Sequence, residues 1–270
     1  MMPKFSLAHL TVLGVPPPEA TRIAADCGFD FVSFRTIPLG LPNEPRYELH
    51  KDAALLKETR AALASTGLPL LDIEIARIAD GTRVADYRPH LETAAELGAK
   101  HVITAAYSQD RTFVVDALTE LCQMAGGLGM SVDFEFITFS AYPTIPGTVQ
   151  LLKDTGCANA GLLVDTLHFD RSRCTFAELD QAPRQMFHFA QLCDAARADN
   201  PTTEEMMRTA REERLYLGEG VIPVAEILRH MPPVPCTLEI AHKKRQQELG
   251  YPAFAKECLQ RARRYLSASA

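Results

Sequence analysis

The 270 residues contain no C-x-x-C pair, no G-x-G-x-x-G, no excess of positive charge and no apolar run long enough to cross a bilayer. Each gap removes a class of protein. The seven cysteines, Cys27, Cys122, Cys157, Cys174, Cys193, Cys236 and Cys258, stand far apart, which argues against zinc-ribbon or dithiol redox chemistry. They read as reduced, mostly buried thiols of a cytoplasmic chain. The opening Met-Met-Pro-Lys-Phe-Ser carries neither the apolar stretch nor the cleavage pattern of an ordinary signal, so export is not expected. Lys and Arg number 28 against 34 Asp and Glu, a net charge of -6 with a pI near 5.8. Such a field attracts neither a nucleic-acid backbone nor an anionic membrane surface. The expected partner is a small molecule; self-association into a homo-oligomer stays open, because the sequence does not orient the outer helix faces.

What is present is a recurring punctuation. Gly28, Gly67, Gly98, Gly129 and Gly156 each follow an amphipathic helical pattern and precede an apolar run. This is the expected appearance of a helix closed by a left-handed glycine and turning into a buried strand. The runs predict eight strands, at residues 7–12, 30–35, 68–75, 101–106, 131–136, 161–165, 188–194 and 236–240. Helical patterns separate consecutive strands, and the right-handed crossover rule then favours a parallel sheet closed into a (β/α)8 TIM barrel. An open doubly wound sheet is the competitor, weakened by the missing glycine fingerprint. No composition shift marks a domain boundary, so residues 1–270 read as one domain. Two long excursions, Ile37 to Tyr47 and Ala195 to Arg214, leave C-terminal strand ends and are candidate lids or plain surface loops.

In a barrel, residues at the C-terminal strand ends converge on one pocket. The fifth strand offers Asp133 and Glu135, the sixth Asp165 with His168 beyond it, the seventh Gln191 and Asp194, and the eighth Glu239. Asp165 has a simpler reading, as the cap of the following helix with His168 on a surface loop. Taken together, acids and an amide crowded at consecutive strand ends repel one another and lose hydration, penalties that a bound divalent cation removes. Glu135, Asp165, Gln191 and Glu239 supply oxygen only, the preference of magnesium or manganese.

Five stretches carry a family resemblance: Val132-Asp-Phe-Glu-Phe136, Leu163-Val-Asp-Thr-Leu-His168, Phe189-Ala-Gln-Leu-Cys-Asp194, Arg214-Leu-Tyr-Leu-Gly-Glu-Gly220 and Thr237-Leu-Glu-Ile240. Over nearly its whole length the chain resembles the sugar phosphate isomerase/epimerase superfamily with its xylose isomerase-like barrel. That resemblance implies one divalent metal held by Glu135, Asp165, Gln191 and Glu239. It also implies an acid/base pair, Glu135 and Glu239, and His168 as a group that binds or protonates a substrate oxygen. The implied reaction is isomerisation or epimerisation of a sugar-like carbonyl compound by α-proton abstraction through a metal-stabilised enediolate. Gln191 departs from the family's histidine and is similar to the 3-dehydroshikimate dehydratase branch, so a metal-dependent lyase is the alternative. Inosose dehydration or β-elimination from a keto-glycoside would be of that kind. A non-catalytic ligand-binding relative is a third reading. Endonucleases acting at abasic DNA share the fold but need more histidine ligands and a basic surface.

Other residues frame the expected pocket. Arg35 and Glu74, at the second and third strand ends, either bind substrate or pair with each other. Arg214 precedes, and Glu219 lies within, the turn Gly218-Glu-Gly220, whose glycines let the backbone come close to a ligand, with Arg197 the rival arginine. Lone His9 and His101 read as satisfied structural groups, and His188 should lie at the opposite, bottom face. The basic runs His242–Arg245 and Arg261–Arg264 read as solvated helix faces.

Overall fold

A computed structural model of the chain describes residues 2–40 and 44–269; the middle of the first candidate lid, residues 41–43, lies outside them. Eight parallel strands close on themselves in sequence order, β1 pairing with both β2 and β8. They are β1 (Phe5–Leu7), β2 (Phe31–Arg35), β3 (Leu70–Ile78), β4 (His101–Ala106), β5 (Ser131–Glu135), β6 (Ala160–Asp165), β7 (Ala190–Leu192) and β8 (Cys236–Leu238). The first five connections carry single α-helices, α1 (Pro17–Cys27), α2 (Ala53–Thr66), α3 (Arg88–Glu96), α4 (Arg111–Gly126) and α5 (Ile145–Thr155). The last three positions carry pairs: α6 (Thr166–Arg171) with α7 (Phe176–Gln181), α8 (Thr203–Glu212) with α9 (Val224–Arg229), and α10 (Lys243–Leu249) with α11 (Tyr251–Ala268).

The glycine punctuation works as read at α1, α2 and α5, whose C-caps Gly28, Gly67 and Gly156 all have φ between 63° and 85°. The first strand differs from its expected position: β1 ends at Leu7, and His9–Val12 form a 3-10 turn. Side chains decide this. Thr11 donates through Oγ1 to the Leu238 carbonyl at 2.9 Å and accepts from the Ile240 amide at 2.8 Å, so this apolar-looking run closes the top of β8. The second excursion contains a true helix, α8, started by a capping box between Thr202 and Glu205.

Strand alternation sorts the core into two layers. On β6, Leu162 and Val164 join the large cluster beneath the helices, whereas Leu163 joins a smaller cluster with Ile103 and Phe189. Asp165 follows Leu163 on the same inward face, and Gln191 likewise follows Phe189. The smaller apolar cluster thus forms a layer across the barrel, and the polar strand ends stand above it.

Candidate active site at the C-terminal mouth of the barrel

The parallel register brings the expected residues together. Asp165 pairs in register with Gln191, Gln191 with Thr237, and Arg35 with Glu74. Glu239 lies two residues beyond Thr237, on the same side. Glu135, Asp165, His168, Gln191, Arg214 and Glu239 are all buried, none more than 6% exposed. Arg214 binds this group most tightly. Its Nη1 reaches Asp165 Oδ2 at 2.6 Å, its Nη2 reaches Glu239 Oε2 at 2.8 Å, and its Nε donates to the Ala210 carbonyl at 2.8 Å. Gln191 Nε2 donates to the other Glu239 oxygen at 3.2 Å. Asp165 also caps α6, accepting from the Leu167 amide at 2.7 Å, so the cap reading and the site reading hold at once.

Glu135 is the least engaged acid, its nearest partner being His168 Nε2 at 3.5 Å. Burial, and after it Asp165, pushes its carboxyl up to about 8. Burial also holds Glu239 well above the usual carboxylate range, while at Asp165 the adjacent Arg214 overcomes burial and the net movement is downward. Burial lowers His168 to about 4, so its imidazole is neutral. The Thr138 amide donates to His168 Nδ1 at 3.3 Å, which leaves the ring proton on Nε2, facing Glu135. His168 is thereby set as a hydrogen-bond donor toward the mouth.

Arg35 and Glu74 pair with each other at 3.3 Å on the adjoining wall. Four carboxyl groups, Glu74, Glu135, Asp165 and Glu239, face two guanidiniums, Arg35 and Arg214, in a nearly dry space; Glu135 and Glu239 are held toward their protonated forms, and full ionisation would leave two negative charges in excess. The donor chemistry fits a divalent cation: Glu135, Asp165 and His168 each bring a donor atom within 4.8 Å of the others, and Gln191 Oε1 is buried without a hydrogen-bond partner among the described residues.

Other expected residues lie elsewhere. Glu219 pairs with Arg245 at 2.7 Å, and Arg245 in turn covers the Tyr216 ring at 4.4 Å. Arg197 is exposed beside Asp199, so Arg214 is the arginine that enters the cluster. Asp194 shapes the glycine turn. It accepts from the amides of Gly218 and Gly220 through Oδ2, and from those of Ala195 and Ile222 through Oδ1, all between 2.8 and 3.0 Å. The close backbone approach at Gly220 therefore serves Asp194 and Ala195; a Cβ there would stand 2.1 Å from the Ala195 carbonyl oxygen. His9 is a satisfied core group, between the Val15 carbonyl and the Arg35 amide. Asp133 joins His101 and His188 at the barrel floor, 3.2 and 2.8 Å away. This network is invisible in spacing because its members come from three strand regions.

Fold and site together define a (β/α)8 barrel of the kind that concentrates its chemistry at the C-terminal strand ends. The profile of the xylose isomerase-like TIM barrel family matches residues 21–261, and the chain belongs to that family. Among solved structures it is similar to the IolI protein with a binding zinc atom, at 19% identity and a TM-score of 0.77 over 98% of this chain and 97% of that one. A xylose isomerase-like TIM barrel/4-hydroxyphenylpyruvate dioxygenase fusion protein is also 19% identical, with a TM-score of 0.79 over 97% of this chain and 42% of the fusion protein. D-allulose 3-epimerase from Methylomonas sp. in complex with D-allulose is 15% identical, with a TM-score of 0.70 over 97% of each chain. No curated protein matches the sequence. Likenesses at such identities speak to the fold.

Proposed function

We propose that this protein is a divalent-metal-dependent isomerase or epimerase of a sugar-like polyhydroxy carbonyl compound. The observation that carries the reading is the buried oxygen donor set of Glu135, Asp165, Gln191 and Glu239, with Glu135 and Glu239 held above the usual carboxylate range by burial and the Gln191 carbonyl oxygen unpaired among the described residues. Magnesium or manganese suits these donors. Bound there, such an ion would act as a Lewis acid that acidifies a hydrogen on carbon beside the substrate carbonyl. Glu135 and Glu239 flank the space as the pair that takes and returns this proton. Gln191 and Arg214 fix both oxygens of Glu239, so its carboxylate direction is preset. His168 donates from Nε2 to a substrate oxygen and meets the charge that develops there. Arg35 and Glu74 line the neighbouring wall, within reach of hydroxyl groups.

A second reading, the metal-dependent lyase, is favoured by the cationic rim. Tyr107, whose phenol burial raises to about 12, stands within electrostatic reach of Glu135 and of Arg77, Arg211 and Arg35. Arg77, whose guanidinium carbon stands 6.0 Å from the Tyr107 ring centroid, is a cation that suits an anionic hydroxylated ring ketone, where loss of a β-hydroxyl replaces return of the proton. Metal analysis, followed by incubation with sugars, inososes and hydroxylated ring ketones in heavy water, separates the readings. Deuterium gain with an unchanged skeleton supports isomerase or epimerase, and loss of the mass of water supports the lyase. No metal uptake and no exchange with any of these compounds would sink both. Glu239→Gln is expected to abolish turnover with the circular dichroism unchanged.

A further inference from the structure

We infer that Glu48, His50 and His90 form a second, peripheral site for a borderline transition-metal ion such as zinc, cobalt or nickel. One donor atom from each lies within 4.8 Å of the others. The residues come from two separate elements. Glu48 and His50 sit in the turn that ends the excursion from β2, where the Lys51 amide bonds back to the Glu48 carbonyl at 2.9 Å and Leu49 is anchored in the core. His90 sits in the first turn of α3.

The anomaly that points to a ligand is the same on both rings. His50 Nδ1 and His90 Nδ1 are each buried without a hydrogen-bond partner among the described residues. Buried polar atoms are nearly always satisfied, and an ion or water is the usual answer where protein partners are missing. The rings meet edge to face with centroids 4.2 Å apart, an arrangement that hydrophobic packing alone leaves uncompensated. Both imidazoles are held below their ordinary range by burial, His90 at about 4, so each offers a lone pair at neutral pH without a competing proton.

Partners that orient the donors are also in place. The Thr36 carbonyl faces the His90 ring, and Lys51 Nζ holds Glu48 Oε1 at 2.6 Å. Two nitrogens and one carboxylate oxygen select zinc-like ions over magnesium or calcium and leave a fourth position for water. Binding would staple the β2 excursion to α3. The same excursion stacks Tyr47 on His9 and gives its Leu39 carbonyl to Arg77, so the staple would fix one rim of the barrel mouth. This site is independent of the oxygen-donor set in the mouth.

The test uses metal-stripped full-length protein, dialysed against zinc and cobalt, with ions per chain and the cobalt visible spectrum recorded. Wild type should bind one more zinc ion per chain than His50→Ala or His90→Ala, and Glu48→Gln should weaken that ion at least about tenfold. Asp165→Asn should leave it, and its cobalt bands, in place. Equal stoichiometry in wild type and both alanine variants, with all unfolding at the same temperature in chelator, would overturn the site. Loss of the additional ion in Asp165→Asn alone would do so too, by assigning every ion to the barrel mouth.

Discussion

Replacing Arg214 with methionine removes the guanidinium while keeping an unbranched side chain of similar reach. Two carboxylates, Asp165 and Glu239, then lose partners at 2.6 and 2.8 Å in a place where all three side chains are at most 4% exposed. Removing one member of a buried ion pair costs about 3–5 kcal/mol, chiefly because the remaining charge stays buried and uncompensated. In chelator, Arg214→Met should therefore lose roughly that much unfolding free energy, or roughly 6–20 °C in melting temperature for a chain of this size. Added manganese should restore more stability to the variant than it adds to wild type, because full ionisation of the pocket then leaves three excess negative charges instead of two. Urea unfolding followed by circular dichroism, in EDTA and in manganese, measures both quantities. A variant within about 1 kcal/mol of wild type in EDTA, or one gaining no more from manganese than wild type, would refute the view that Arg214 and a divalent cation share these carboxylates.

Gln191→His should keep metal uptake and move preference toward zinc or cobalt, read by competition titration against manganese. At the barrel floor, burial raises Asp133, but hydrogen bonds from His101 and His188 win and bring it down to about 2; donating to Asp133 in turn raises His188. The depressed Asp133 stabilises the fold above its unfolded value, a contribution of about 2 kcal/mol that is lost as pH falls toward 2. The raised His188 stabilises below about 6.5 and loses that effect as pH climbs through its folded value. His188→Gln should thus cost more stability at pH 6 than at pH 9, measured by denaturant titration. Gly220→Ala must push its Cβ against the Ala195 carbonyl and should lower stability by at least about 2 kcal/mol, read as a fall in melting temperature.

Strand ends were legible because a buried strand broadcasts its exit: Leu162, Leu163 and Val164 stop abruptly at Asp165, while Glu135 and Glu239 are acids set between apolar neighbours, Phe134 and Phe136, and Leu238 and Ile240. Register then did the assembling, since parallel pairing in order places Gln191 beside Asp165. The first strand was misplaced because Thr11 and Val12 look like strand residues locally, while the bonds that make a turn of them come from Leu238 and Ile240, more than 200 positions away. Distance in sequence likewise hid the Arg214 fork and the Thr138 bond that orients His168. Asp194 was noticed as an acid at a strand end, but only the fold distinguishes an acid that faces the mouth from one saturated by four amides.

Those four amides have an architectural consequence. Asp194 clasps both ends of the excursion that contains α8, and the Asp194–Leu215 bridge closes it in register next to Arg214. Everything between residues 196 and 213 hangs outside that clasp. Among the described residues, only the Ala210 carbonyl, which takes the Arg214 Nε at 2.8 Å, ties the segment back to the charged centre, so the stretch before the last turn of α8 can be rebuilt as an interchangeable cartridge: new rim chemistry can be installed there while the charged centre keeps its geometry.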